Sequence, residues 1–159
     1  MEVQKRKLEI NLITIGTGVI LFGVWTLVKF AVNFVLFGNE LDEILDQNEM
    51  VIADIIICAV AVIDFLLRLY IGLSAKKEGN GKRTNSAYLV LTVVFTVLYA
   101  LSVIAEFIAI FAVPEEVFTL IVTLIIDITS MIFLIEVFSY ASKLRKLRTS
   151  QINKGESAL

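Results

Sequence analysis

The segment "MVIADIIICAVAVIDFLLRLYIGL", from Met50 to Leu73, decides the fold of this chain. Its charged residues are Asp54, Asp64 and Arg68, and almost every other residue is apolar. As an α-helix with a rise of about 1.5 Å per residue, this segment is about 36 Å long, which exceeds the roughly 30 Å hydrocarbon core of a bilayer. The sequence therefore predicts a transmembrane helix here.

Three further segments have the same character, over residues 11–37, 87–112 and 117–140. The chain has 159 residues, of which 58% are hydrophobic, and its mean hydropathy is +0.87. Soluble domains contain roughly 45 to 50% apolar residues. These values predict an all-α integral membrane four-helix bundle that forms a single domain over residues 1–159, with a basic cytoplasmic tail over residues 141–159. A transmembrane barrel does not fit, because its strands need only about 10 alternating residues.

The basic residues alternate with the spans. Twelve of the 14 Lys and Arg residues lie before the first predicted span, between the second and third, or after the fourth. The loops 38–49 and 113–116 contain seven carboxylates and no Lys or Arg. Because cytoplasmic loops carry the excess of Lys and Arg, this pattern predicts that both termini are cytoplasmic.

The first outer loop contains more than a simple turn. Leu41, Ile44 and Leu45 fall on one helical face, after an asparagine and an aspartate at capping-box spacing. We therefore predict a short interfacial helix on the outer membrane surface between the first two spans. The compact loops, which lack extracellular cysteine pairs, favour a prokaryotic cytoplasmic membrane.

Composition argues against several classes of protein. The net charge of −2 gives no support for nucleic-acid binding. The sequence contains no histidine, which excludes imidazole-ligated haem and histidine-containing metal sites. Its one cysteine, Cys58, is expected to be a small packing residue. We expect no cofactor, no metal site and no enzymatic activity.

The polar residues of each predicted helix fall on one face, with Val, Ile, Leu and Phe opposite. The residues that share these faces are Asn11, Thr26, Lys29 and Asn33 in the first span, Asp54, Asp64 and Arg68 in the second, Tyr88, Thr92, Tyr99, Ser102 and Glu106 in the third, where Phe95 lies on the same face, and Thr123, Asp127 and Ser130 in the fourth. Four helices with such faces are expected to enclose a common polar interior.

Asp64 and Arg68 stand four residues apart with the acid first, which is the favoured order for an ion pair within a helix. An ionised side chain at mid-bilayer costs about 2.5 to 3.5 kcal/mol, so such groups need partners or water. We predict that Asp64 and Arg68 form a structural ion pair.

The outer half of the predicted bundle contains a second polar group. Its members are Lys29, Asn33, Asp54, Glu106 and Asp127. One cation faces three carboxylates, so the remaining acids must be protonated, hydrated or joined by a cation. This group is a candidate intramembrane polar or ion site. Asp54 has a second interpretation of equal weight, in which it lies close to the headgroups and is hydrated.

A weak internal repeat relates the two halves of the chain. Shifting the sequence by 73 residues places Asp54 on Asp127 and several apolar residues on identical ones. This match predicts a two-plus-two arrangement of the spans about an axis along the membrane normal.

Three functional classes remain open, and the least supported is an intramembrane enzyme, because the chain has no histidine and no serine with an obvious base and only carboxylates could act. In the first, the protein is a membrane-embedded interaction or accessory subunit, as a homo-oligomer or in a larger complex, and its polar interior gives specificity to helix contacts. In the second, it is a proton-coupled or cation-coupled transporter or channel that uses Lys29 and the buried carboxylates. In either class the partners are the bilayer and the anionic lipid headgroups at the cytoplasmic basic residues.

The orientation can be tested with single cysteines. We expect a cysteine in the loop 38–49 to react with a membrane-impermeant thiol reagent from outside intact cells, because that loop is predicted to be extracellular. Cysteines at Lys77 and Lys146 should react only after the membrane is permeabilised. The reverse labelling pattern would contradict the predicted orientation.

Overall fold

A computed structural model describes residues 2–37, 47–112 and 117–156 of the chain. Within these ranges the chain is all-α and forms helices α1 (Glu2–Phe37), α2 (Gln47–Gly79), α3 (Ala87–Ala112) and α4 (Val117–Glu156). Each of these helices contains a segment that is long and apolar enough to cross a bilayer. The predicted all-α architecture with four membrane-length helices is confirmed, and it indicates a membrane location.

Three helices are longer than the predicted spans. α1, α2 and α4 contain 36, 33 and 40 residues, so each exceeds the roughly 20 residues that a bilayer core requires. The basic segment after residue 140 continues α4 as a helix through Glu156. Most of the predicted interfacial helix, residues 38–46, lies outside the described residues, and residues 47–49 belong to α2.

Neighbouring helices in the bundle run antiparallel. α1 packs closely against α2 and α4, and α3 packs against α4, whereas α2 and α3 make little contact with each other. The start of α1, the end of α2, the start of α3 and the end of α4 therefore meet at the same end of the bundle. We call this end the terminal end.

A close approach between two glycines sets the distance between α1 and α2. A Cβ atom at Gly16 would lie 2.8 Å from the Gly72 carbonyl oxygen, and one at Gly72 would lie 2.5 Å from the Gly16 carbonyl oxygen. Both distances are too short for a real Cβ contact. Small residues at such crossings let the two backbones pack directly, which is a common source of association between membrane helices.

The hydrophobic core is concentrated towards the terminal end, in a region that we call the terminal half. Its buried side chains come from all four helices. They are Leu8, Leu12, Ile15 and Val19 of α1, Ile71 and Ala75 of α2, Tyr88 and Phe95 of α3, and Leu134, Val137, Ala141 and Leu144 of α4. Further from the terminal end, most described apolar side chains of α2, α3 and α4 are exposed, as lipid-facing residues would be.

The turn between α2 and α3 is shorter and more ordered than the sequence "KKEGNGKR" suggests. That stretch resembles a flexible turn in sequence, but α2 continues as a helix through Gly79. Gly81, with φ of +81°, then ends the helix. The Gly81 N–H donates to the Glu78 carbonyl and the Lys82 N–H to the Lys77 carbonyl, both at 3.1 Å, which is the Schellman pattern.

The glycine crossing gives a testable prediction. Gly72→Ala should lower the free energy of unfolding by about 1 to 3 kcal/mol, because its new methyl group meets the α1 backbone. Gly23→Ala is the matched control, since a Cβ there would lie 3.3 Å from the nearest atoms, which belong to the side chains of Arg68 and Phe65. Because those contacts are longer and involve no backbone atom, and because alanine favours helices by up to about 1 kcal/mol over glycine, the control should lose much less stability than Gly72→Ala. Thermal unfolding in detergent, followed by circular dichroism, measures both, and equal effects would contradict the proposed crossing.

Candidate functional site

A polar cavity lies between the four helices, beyond the terminal half. Its volume is about 510 Å³. α2 and α3 contribute most of its lining. The lining residues are Trp25 and Thr26 of α1, Val60, Ile63, Asp64, Leu67 and Arg68 of α2, Phe95, Leu98, Tyr99, Ser102 and Glu106 of α3, and Thr123, Ile126 and Asp127 of α4.

Asp64 and Arg68 form an ion pair on the α2 wall of this cavity. The Arg68 Nε donates to Asp64 Oδ2 at 2.9 Å, and the Arg68 side chain is only 4% exposed. The guanidinium carbon of Arg68 also lies 4.6 Å from the centre of the Tyr99 ring on α3. Arg68 is therefore held by a carboxylate of its own helix and by the face of an aromatic ring across the cavity.

Asp127 lies on the α4 wall of the same cavity. The Ser102 hydroxyl of α3 donates to Asp127 Oδ2 at 3.2 Å. Asp127 lines the cavity together with Asp64 and Arg68. Two carboxylates from different helices thus line the same cavity as the Arg68 guanidinium.

The residues predicted for the ion site are only partly described. Glu106 and Asp127 line the cavity together with Asp64 and Arg68. The side chains of Lys29, Asn33 and Asp54 lie outside the described part of the structure. The helical spacing predicts the Asp64–Arg68 pair and the carboxylate site as two separate features. The structure places their described members around one cavity.

Several hydroxyl groups in the helices bond to their own backbone. Thr26, Thr92 and Thr96 each donate to the carbonyl four residues earlier, at distances between 2.7 and 3.0 Å. Such bonds satisfy a hydroxyl without water or a partner from another helix. These threonines therefore fit an apolar environment and need no ligand.

At the terminal end, a buried carboxylate ties three elements together. Glu78, at the end of α2, is 2% exposed. Arg145 of α4 donates to both of its oxygens, from Nε to Oε1 at 2.6 Å and from Nη2 to Oε2 at 2.8 Å. Tyr88 of α3 donates to Oε2 at 2.6 Å, and the Thr84 hydroxyl donates to the same oxygen. We call these four residues the Glu78 cluster.

A second arginine of α4 extends this connection to α1. Arg148 Nη2 donates to the Glu78 carbonyl oxygen at 2.9 Å and to Glu9 Oε1 of α1 at 3.3 Å. The ends of α1, α2 and α4 are thus joined by two arginines of one helix. Together with the core of the terminal half, these bonds close the bundle between the polar cavity and the terminal end.

Sequence reasoning missed the Glu78 cluster. Glu78 and Arg145 are 67 residues apart, and no helical periodicity relates positions so distant. The available signal is that Glu78 is the one acid of the "KKEGNGKR" stretch, where it stands among four basic residues. The charge pattern predicts that Arg145 and Arg148 lie near lipid headgroups, and the structure shows that both also make bonds within the bundle.

The polar cavity offers carboxylate oxygens rather than a metal-binding cluster. Among the described residues, no group of three or more His, Cys, Asp or Glu side chains has the spacing to hold a metal ion. The carboxylates can instead accept protons, a cation or hydrogen bonds from another helix. Comparisons with protein-family models, curated proteins and solved structures find no match to this chain.

The Glu78 cluster can be tested by removing its cation. Arg145→Met should lower the free energy of unfolding by about 3 kcal/mol, because it leaves a buried carboxylate without its positive partner. The double variant Glu78→Gln, Arg145→Met should recover part of this loss. Lys77→Met is the control, since Lys77 is exposed beside Glu78 and a surface change of this kind usually alters stability by no more than about 0.5 kcal/mol. Equal losses of unfolding free energy in Arg145→Met and Lys77→Met would show that the Glu78–Arg145 pair does not stabilise the protein.

Proposed function

We propose that this protein is a membrane-embedded interaction subunit whose α2–α3 face receives a transmembrane helix of a partner protein. The observation that carries this proposal is the arrangement of the bundle. α2 and α3 line two sides of the polar cavity but make little contact with each other, whereas the other adjacent helix pairs are packed. The bundle therefore has one open face, and this face exposes polar groups.

The energetics of a bilayer favour covering that face. The Asp64 side chain is 21% exposed although it is ion-paired, and the apolar residues at the cavity edge, Val60, Ile63 and Leu98, are 54 to 60% exposed. Charged groups in contact with lipid are costly, while lipid and a partner helix are equally apolar surroundings for the edge residues. A partner helix would therefore be bound chiefly through its contacts with the polar groups.

The charges in the cavity indicate the chemistry of the partner. Among the described residues, three carboxylates, Asp64, Glu106 and Asp127, line the cavity with one cation, Arg68, so the described acids outnumber the described cation. A partner helix with a Lys or Arg residue at the depth of the cavity would complement this excess. A basic residue in a transmembrane segment is itself costly without a carboxylate, so each helix would satisfy the other.

We further propose that both termini are cytoplasmic and that the protein lies in a prokaryotic cytoplasmic membrane. The antiparallel packing brings the basic segments near Lys7, Lys77, Lys82 and Lys143 to the terminal end. The positive-inside rule then supports a cytoplasmic terminal end.

A second candidate is a proton-coupled or cation-coupled transporter. The cavity volume of about 510 Å³ and its lining by Glu106 and Asp127 favour this alternative. The closed terminal half weighs against it, because transport would require the Glu78 cluster and the core beneath the cavity to open. This cost makes the interaction subunit the better-supported proposal.

Site-specific photocrosslinking in native membranes tests the interaction proposal. A photoreactive residue at Leu98, which lies on the cavity edge, should crosslink to one partner of defined mass, and the crosslinked peptide should contain a basic residue within a membrane span. Ile104 is the matched control. It lies on α3, is 57% exposed compared with 54% for Leu98, and does not line the cavity. Crosslinking from Ile104 should reach lipid alone.

Two results would contradict the interaction proposal. One is equal crosslinking from Leu98 and Ile104, which would mean that the open face is not selective. The other is ion flux by the purified protein in liposomes under an imposed pH or sodium gradient, if Glu106→Gln with Asp127→Asn abolishes the flux and preserves folding. An amide cannot exchange a proton at neutral pH, so that result would support transport instead.

A further inference from the structure

We propose that a groove between the start of α1 and the end of α4 binds the phosphate group of an anionic phospholipid. The groove, which we call the basic groove, has a volume of about 710 Å³. Both helices contribute to it. Its lining residues are Gln4, Lys7, Leu8 and Asn11 of α1 and Tyr140, Lys143, Lys146 and Leu147 of α4.

Three lysines from two helices line this groove. Lys7, Lys143 and Lys146 are all exposed, and none of the described lining residues is acidic. Gln4 and Asn11 add side-chain amides that can donate hydrogen bonds. The charge and the donors together suit a phosphate oxyanion, for which lysine acts as a point charge.

The neighbouring arginines bond to residues outside the groove, so the groove differs from a surface on which every basic residue is free to attract lipid. Arg145 binds Glu78, and Arg148 binds Glu9 and the Glu78 carbonyl oxygen. At about 100° per residue, Lys143 and Lys146 lie on one face of α4 while the two arginines lie on another. α4 thus directs its arginines into the bundle and these two lysines into the groove.

The position of the groove along the helices fits a lipid headgroup. Asn11 and Tyr140 mark the ends of the apolar spans that the sequence predicts. Lys7 lies four residues before Asn11, and Lys143 and Lys146 lie three and six residues after Tyr140. With a rise of about 1.5 Å per residue, the three ammonium-bearing residues start about 5 to 9 Å outside the hydrocarbon core, where phosphates are found.

The remaining lining residues favour a lipid over a free phosphate ion. Leu8 is buried and Leu147 partly buried, so the groove has an apolar floor. Tyr140 ends the fourth span that the sequence predicts, a position where tyrosines are enriched, and the Lys143 ammonium lies 5.9 Å from the centre of its ring. An apolar floor beside a cationic rim matches a molecule that joins a phosphate to hydrocarbon chains.

Native mass spectrometry of the purified full-length protein in neutral detergent tests this proposal. Titration with phosphatidylglycerol should give a one-to-one adduct, and phosphatidylcholine should bind much more weakly. The triple variant K7Q/K143Q/K146Q should weaken phosphatidylglycerol binding about a hundredfold. This is the combined effect expected when three basic residues near an anionic lipid each lose their typical contribution. The charge-preserving variant K7R/K143R/K146R should keep most of the binding, which separates loss of charge from loss of folding.

The matched control is K77Q/K82Q/R83Q, which removes three exposed positive charges from the same end of the bundle. We expect this variant to bind phosphatidylglycerol within about threefold of the wild type, since the charges removed lie outside the groove. Equal losses in the two glutamine variants would overturn the proposal in favour of diffuse surface attraction. Soluble glycerol phosphate that competes at the concentration of the lipid would also overturn it, because the site would then bind a free anion.

Discussion

An ionised side chain placed in the hydrocarbon core of a bilayer costs about 2.5 to 3.5 kcal/mol even on lenient scales. In helices long enough to cross a bilayer, this constraint determines where the polar groups can lie. Asp64 bonds to Arg68, Ser102 bonds to Asp127, and Thr92 bonds to its own backbone. The outward faces are left to Val, Ile, Leu and Phe. Around the cavity the helices therefore direct polar groups inward and apolar side chains outward, whereas the terminal half keeps an apolar core.

Much of this arrangement could be predicted from the sequence because it follows from local periodicity. The lengths of the apolar segments predict the four helices, and the 3.6-residue period predicts that Tyr88, Thr92 and Phe95 share the inward face of α3, where all three are buried. The spacing of Asp64 and Arg68 likewise predicts the pair that the structure contains. Each of these inferences uses residues that are neighbours on one helix.

Contacts between helices could not be predicted in the same way. Nothing local identifies Gly72 as the residue that meets Gly16, or Arg145 as the partner of Glu78. A count of charges by loop likewise does not separate Arg145 and Arg148, which bond within the bundle, from the lysines beside them, because it ignores the direction of each side chain around the helix. Arginine, whose planar guanidinium can bond to both oxygens of one carboxylate, takes the inward position in α4, while lysine remains at the surface.

The bundle combines a tied end with an open face, and this asymmetry bears on function. At the terminal end, Glu78 and the arginines of α4 join helices that are also held by a packed core. Around the polar cavity, α2 and α3 make little contact. A partner helix could enter between them without breaking any contact of the terminal half. A transport cycle, in contrast, would have to expose the buried Glu78 carboxylate to reach the other side, and breaking such a pair typically costs about 3 to 5 kcal/mol. The distribution of strong contacts thus favours a protein that binds through one face over one that opens at both ends.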